Sequence, residues 1–115
     1  MQLPGSFNEL VVQANELDLY SKLVFQLNKD FLLANIDLEF SESISPDELK
    51  KQLHEVVFNL IQYKFGEYLN LLYIIDVSES QIKQLDGSDT VGLSAQVSFL
   101  ILRREWQKVW YKHKY

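Results

Sequence analysis

Toward its C-terminal end the chain carries a segment that cannot lie on a surface. Ala95, Phe99, Leu102, Trp106 and Val109 recur at helical spacing, while Val97, Leu100 and Ile101 fill the other sides of the same turns. A helix apolar all round through its middle has to be buried centrally. Started at Ser88 or Asp89 it would run for ~24 residues, roughly 36 Å at 1.5 Å per residue. The whole chain has 115 residues, so the rest must wrap this helix within a single domain spanning residues 1–115.

The remaining segments supply amphipathic helices for that wrapping. Leu17, Tyr20, Val24, Leu27, Phe31 and Ala34 form one stripe that ends near Asn35, with Asp18 and Lys22 as an acid–base pair four apart. Ile36, Leu38 and Phe40 alternate with polar residues and read as an extended connection tucking three apolar groups under the bundle. Ser45-Pro46-Asp47-Glu48 marks a helix start, with a capping serine, a proline where no donor is needed and a glutamate completing the box. Its stripe is Leu49, Leu53, Val56, Leu60 and Tyr63. Gly66 is expected to break or bend the run before a helix through Tyr68, Leu69, Leu72 and Ile75. Ser78-Glu79-Ser80-Gln81 opens a short helix that Asp86-Gly87 ends. Residues 7–15, capped by Ser6, form a helix in a loosely attached lead-in segment, residues 1–16.

Nineteen leucines against a single threonine, with only four glycines and two prolines, favour helices over short strands and turns. The expected fold is therefore all-α: a single-domain bundle of four to five helices with a buried C-terminal helix. The alternative is an α+β fold in which residues 71–77 and 97–102 pair as a small sheet, because period alone does not separate short apolar runs into helix and strand.

Catalytic constellations meet simpler structural readings. His54 and His113 lie fifty-nine residues apart with no ligand spacing around either, and there is no cysteine, so neither a metal nor a cofactor is expected. Ser45, Ser78 and Ser88 are better read as helix caps than as nucleophiles, since no G-x-S-x-G elbow is present. Gly87-Ser88-Asp89-Thr90-Val91-Gly92-Leu93-Ser94 has the glycine spacing of a phosphate loop, yet Leu93 stands where the lysine should be and Asp89 would repel phosphate. Carboxylate pairs such as Asp47 and Glu48 suit a first helical turn. The expectation is a non-enzymatic protein.

Charge singles out the tail. The net charge is −5, but residues 103–115 hold five cations against Glu105, +4, leaving −9 on the first 102 residues. Cations complement a helix C-terminus, and Trp106 and Val109 continue the core stripe. Trp110, Tyr111 and Tyr115 exceed what one stripe buries, and aromatics beside arginine are typical of interface hot spots. Arg103, Arg104, Lys108, Trp110, Tyr111, Lys112 and Tyr115 are the candidate interface, for an unknown protein partner or a second copy of the chain. The second reading is a regulatory module that stacks on nucleic acid through the same residues, although the overall acidity argues against it.

No apolar run approaches the ~18 residues of a membrane span, and residues 1–6 lack a cationic and apolar signal pattern. A cytoplasmic protein is expected. Residues 44–49 (ISPDEL), 68–78 (YLNLLYIIDVS) and 104–110 (REWQKVW) resemble a group of short uncharacterised bacterial proteins, from about Leu17 onward. The resemblance implies a small bacterial helical protein and brings no activity, cofactor or site with it.

Overall fold

Four helices begin where a short polar side chain takes up the first amides. In the computed structural model, which describes residues 2–115, the order is α1 (Phe7–Glu16), α2 (Tyr20–Leu33), α3 (Pro46–Tyr63), α4 (Phe65–Ile75), α5 (Glu79–Lys83) and α6 (Thr90–Lys114). Ser6, Ser45 and Ser78 accept the amides of Glu9, Glu48 and Gln81, and the Asp89 carboxylate accepts those of Val91 and Gly92. Such caps satisfy donors that have no partner inside the helix. α2 and α4, by contrast, start at Leu19 and Lys64 without a side-chain cap. The fold is all-α. No strand occurs among the described residues, and segments 71–77 and 97–102, the alternative sheet, lie in α4 with its C-terminal turn and in α6.

The 25-residue α6 is the axis of the bundle. It is about as long as the molecule, whose longest dimension is 36 Å, and it packs against α1, α2, α3 and α4. Its buried face is rotated from the expected one. Ser94, Val97, Ser98, Ile101, Leu102, Glu105, Trp106 and Val109 are buried, whereas Ala95 is exposed and Phe99 half-buried beneath the Arg103 guanidinium. The two serines enter the core because their hydroxyls donate back to the Val91 and Ser94 carbonyls at 2.8 and 2.7 Å. None of these helices is long and apolar enough to cross a membrane.

Among the described residues six helices form instead of four to five. α1, expected as a loose lead-in, buries Leu10 and Ala14, and its Gln13 accepts the Trp106 indole N–H at 3.0 Å. The α2 stripe starts later than expected. Leu17 is exposed, and Asp18 sits in the turn at φ 55°, outside the helix that would have paired it with Lys22. Asn35 and Asp76 adopt the same left-handed conformation at φ 60° and 69°. Asp and Asn tolerate it better than other non-glycine residues, which lets a glycine-poor chain close three turns. The segment after α2 is extended, with Phe40 buried and its backbone held at both ends by Asn28, at 2.7 and 2.8 Å. On α3 the buried residue is Val57 rather than Val56, and Tyr63 is exposed. The helix breaks at Lys64, φ −140° and ψ 58°, one residue before α4 and two before Gly66.

Two substitutions separate the buried face of α6 from its flank. Leu102→Ala should cost ~2–5 kcal/mol through the cavity it leaves. Phe99→Ala should cost about half as much, because its ring is only half covered. Urea denaturation measures both, and equal losses would contradict the observed rotation of the helix.

Candidate functional site

The seam between α2 and α6 carries an ionic cluster that neither stripe announced. Asp30 follows Lys29 on α2 and is buried, and Glu105 on α6 is 0% exposed. Lys108, one turn after Glu105, places its Nζ 2.8 Å from Asp30 Oδ2 and 3.0 Å from Glu105 Oε1. The first contact is a hydrogen bond. The second attracts without being aligned as one, and neither Glu105 oxygen has an aligned donor. Gln26, also buried, donates from Nε2 to both Asp30 oxygens at 3.3 Å, and its Oε1 accepts Lys112 Nζ at 2.7 Å. The chain of contacts thus runs from the core to the surface. There, Lys112 and Gln26 line an open cavity of about 440 Å3 with Lys22, Phe25, Glu42 and His113.

Electrostatics assigns the protons in this cluster. Burial pushes the Glu105 carboxyl up to about 9, and the adjoining Asp30 carboxyl adds to the rise while Lys108 opposes it. Burial alone would raise Asp30 too, but hydrogen bonding with Glu105 and Lys108, with the charge of Lys108, outweighs it and holds Asp30 below the ordinary carboxylate range. Two neighbouring carboxyls that share one cation cannot both ionise cheaply. The consistent state at neutral pH is a protonated Glu105 donating to an ionised Asp30, which is paired with Lys108. A proton on Glu105 also resolves its lack of donors, because the acid then donates instead of accepting. The three groups together are neutral.

The candidate interface residues fall into two sets. Arg104, Lys108 and Lys112 are engaged within the chain. Arg104 pairs with Asp76 Oδ2 at 3.2 Å, donates to the Asp76 carbonyl at 3.1 Å and reaches Gln107 at 3.0 Å, so it clasps the end of α4. Trp110, expected as an exposed aromatic, is half-buried and packs on the core. Arg103 lies over Phe99, while Tyr111 and Tyr115 are exposed and stacked at 6.1 Å. His54 is a half-buried boundary residue whose Nε2 is 2.8 Å from Ser94 Oγ. Among the described residues no three acidic or histidine side chains are grouped to hold a metal.

A second surface went unmarked in the sequence. Phe65, Leu69 and Tyr73 of α4 are 54%, 51% and 81% exposed at four-residue steps, with Tyr63 exposed beside them. α4 is apolar on nearly every side, and α3, α2 and α6 cover only its inner face through Tyr68, Leu71, Leu72 and Ile75. The same run of apolar residues therefore lines the core and the surface. The signal was present: ten consecutive residues from Tyr68 to Val77 contain only two polar ones, Asn70 and Asp76.

The cluster sets a definite pH dependence. The folded chain holds a proton on Glu105 that the unfolded chain releases near 4.5. Stability from this group should fall as pH rises between about 4.5 and about 9, by on the order of 1 kcal/mol per pH unit at most. Glu105→Gln keeps a donor toward Asp30 and removes the titration. Its urea stability should therefore fall less than that of the wild type from pH 6 to pH 8.5; parallel slopes would show that Glu105 ionises normally. Lys108→Met should lose ~3–5 kcal/mol, because Asp30 is left buried without its cation. Comparison with protein-family models, with characterised proteins and with solved structures finds no match to this chain.

Proposed function

We propose that this chain is a non-enzymatic helical protein that acts by binding another protein, and that the outer face of α4 is its contact surface. One observation carries the reading: Phe65, Leu69 and Tyr73 form a continuous apolar stripe on a helix whose opposite face already fills the core. Contiguous exposed apolar surface on a small domain marks a binding face more often than solitary exposed residues do, and aromatic side chains dominate binding energy at such faces. The tail supports the same role less strongly, because Arg104, Lys108 and Lys112 have partners within the chain. A cytoplasmic setting and a bacterial origin belong to the same proposal.

The second reading, contact with nucleic acid, draws on the stacked Tyr111 and Tyr115 beside Lys114. Tagged chains recovered from the native cell separate the two. Leu69→Asp with Tyr73→Asp should lose the associated protein while the helical circular dichroism spectrum stays unchanged. Lys112→Gln with Lys114→Gln should retain it, with at most a slower association. The reverse order, with a steep fall in binding as salt is raised, would replace the protein partner with nucleic acid.

A further inference from the structure

The outer face of α4 presents a projecting ring and a depression on the same side. Phe65 projects at its first turn. Past Leu69 the surface falls into a cavity of about 580 Å3 between α4 and α5, lined by Leu72, Tyr73, Val77 and Ile82. Leu69 lies midway, four residues from Phe65 and four from Tyr73. At 1.5 Å per residue each ring is about 6 Å from it along the axis. A two-fold axis through Leu69 therefore sets Phe65 of each copy over Tyr73 and the depression of the other, and the contact is made twice.

Charge favours the same direction. Lys64 opens the stripe, held only loosely by Glu67 at 3.9 Å. Asp76 and Glu79 stand at the opposite end. Antiparallel docking turns Lys64 of each copy toward the acids of the other, whereas parallel docking sets lysine against lysine. Arg104 already pairs with Asp76 and Lys83 lines the same depression, so the electrostatic pull is modest and apolar contact carries the affinity. A stable interface takes roughly 800 Å2 from each partner, about a ninth of the 6941 Å2 surface of this chain. The 11 residues of α4 span only about 16 Å. Tyr63 at the α3 corner and Ile82 on α5 must then take part.

We infer that the partner of α4 is a second copy of this chain, docked antiparallel across Leu69 with Phe65 of each copy over the α4–α5 depression of the other. The inference rests on α4 being the contact surface. Sedimentation equilibrium of the purified chain should give twice the 13.5 kDa chain mass, and Leu69→Arg should weaken self-association by more than about tenfold with an unchanged helical spectrum. The sequence has no cysteine, so introduced thiols report geometry directly. When Phe65→Cys and Tyr73→Cys chains are mixed and oxidised, the mixed disulfide should exceed both self-pairs, and Leu69→Cys should link to itself. Dominant self-pairs at 65 and 73 would overturn the antiparallel arrangement. A wild-type chain of single mass at about 100 µM, where even a micromolar complex is largely formed, would overturn self-pairing. If Leu69→Arg still lost its cellular partner in that case, α4 would remain the contact surface for a different protein. If Leu69→Arg changed neither measurement, both readings would fall.

Discussion

Burying α6 is the constraint from which the rest of the architecture follows. A helix of 25 residues presents a buried face from Ser94 to Val109, and no single neighbour covers its whole length. α1, α2, α3 and α4 each take one sector. Asp18, Asn35 and Asp76 turn the chain in left-handed backbone conformations at the ends of α1, α2 and α4. α5 is left outside this arrangement as a short turn that leads the chain back to Asp89. Even the clasp of Arg104 on Asp76 serves it, because it ties the end of α4 to the flank of the central helix.

The cluster of Asp30, Glu105 and Lys108 has a cost that the apolar contacts around it do not have. Removing charges from water is expensive, and an apolar replacement of similar volume is often at least as stable. Holding Glu105 protonated lowers that cost, since one of the three groups is then uncharged. The remaining pair is geometrically demanding: Lys108 meets Asp30 at 2.8 Å in only one register of α6 against α2. A shift by one residue would separate the Lys108 ammonium from Asp30 across the seam. The cluster thus reinforces the register that the buried apolar face of α6 already sets.

What could be read from sequence was local. Ser45, Ser78 and Asp89 act within three residues of themselves, and the helices start where those residues stand. The break after α3 depends on the packing of two helices, and it fell at Lys64 rather than at the glycine two residues on. The face of α6 was misread for a related reason. Ser94, Ser98 and Glu105 look polar, yet each is made compatible with the core by a carbonyl or a proton that composition does not display. The tail shows the same limit. Lys108 and Lys112 look free in the sequence, and their partners lie 78 and 86 residues earlier. The apolar excess of α4 was visible, but an apolar run does not say which of its sides is covered.

The position of α6 in the chain bears on how the protein is made. The helix that supplies the common core of α1 to α4 follows all four of them in the chain. At roughly 5–20 residues per second, its 25 residues take about one to five seconds to emerge. Until α6 follows them, the earlier helices keep their apolar stripes unsatisfied. Nascent chains that stall before Trp106 would be natural clients for chaperones, and the bundle reaches its native arrangement only after α6 has been made.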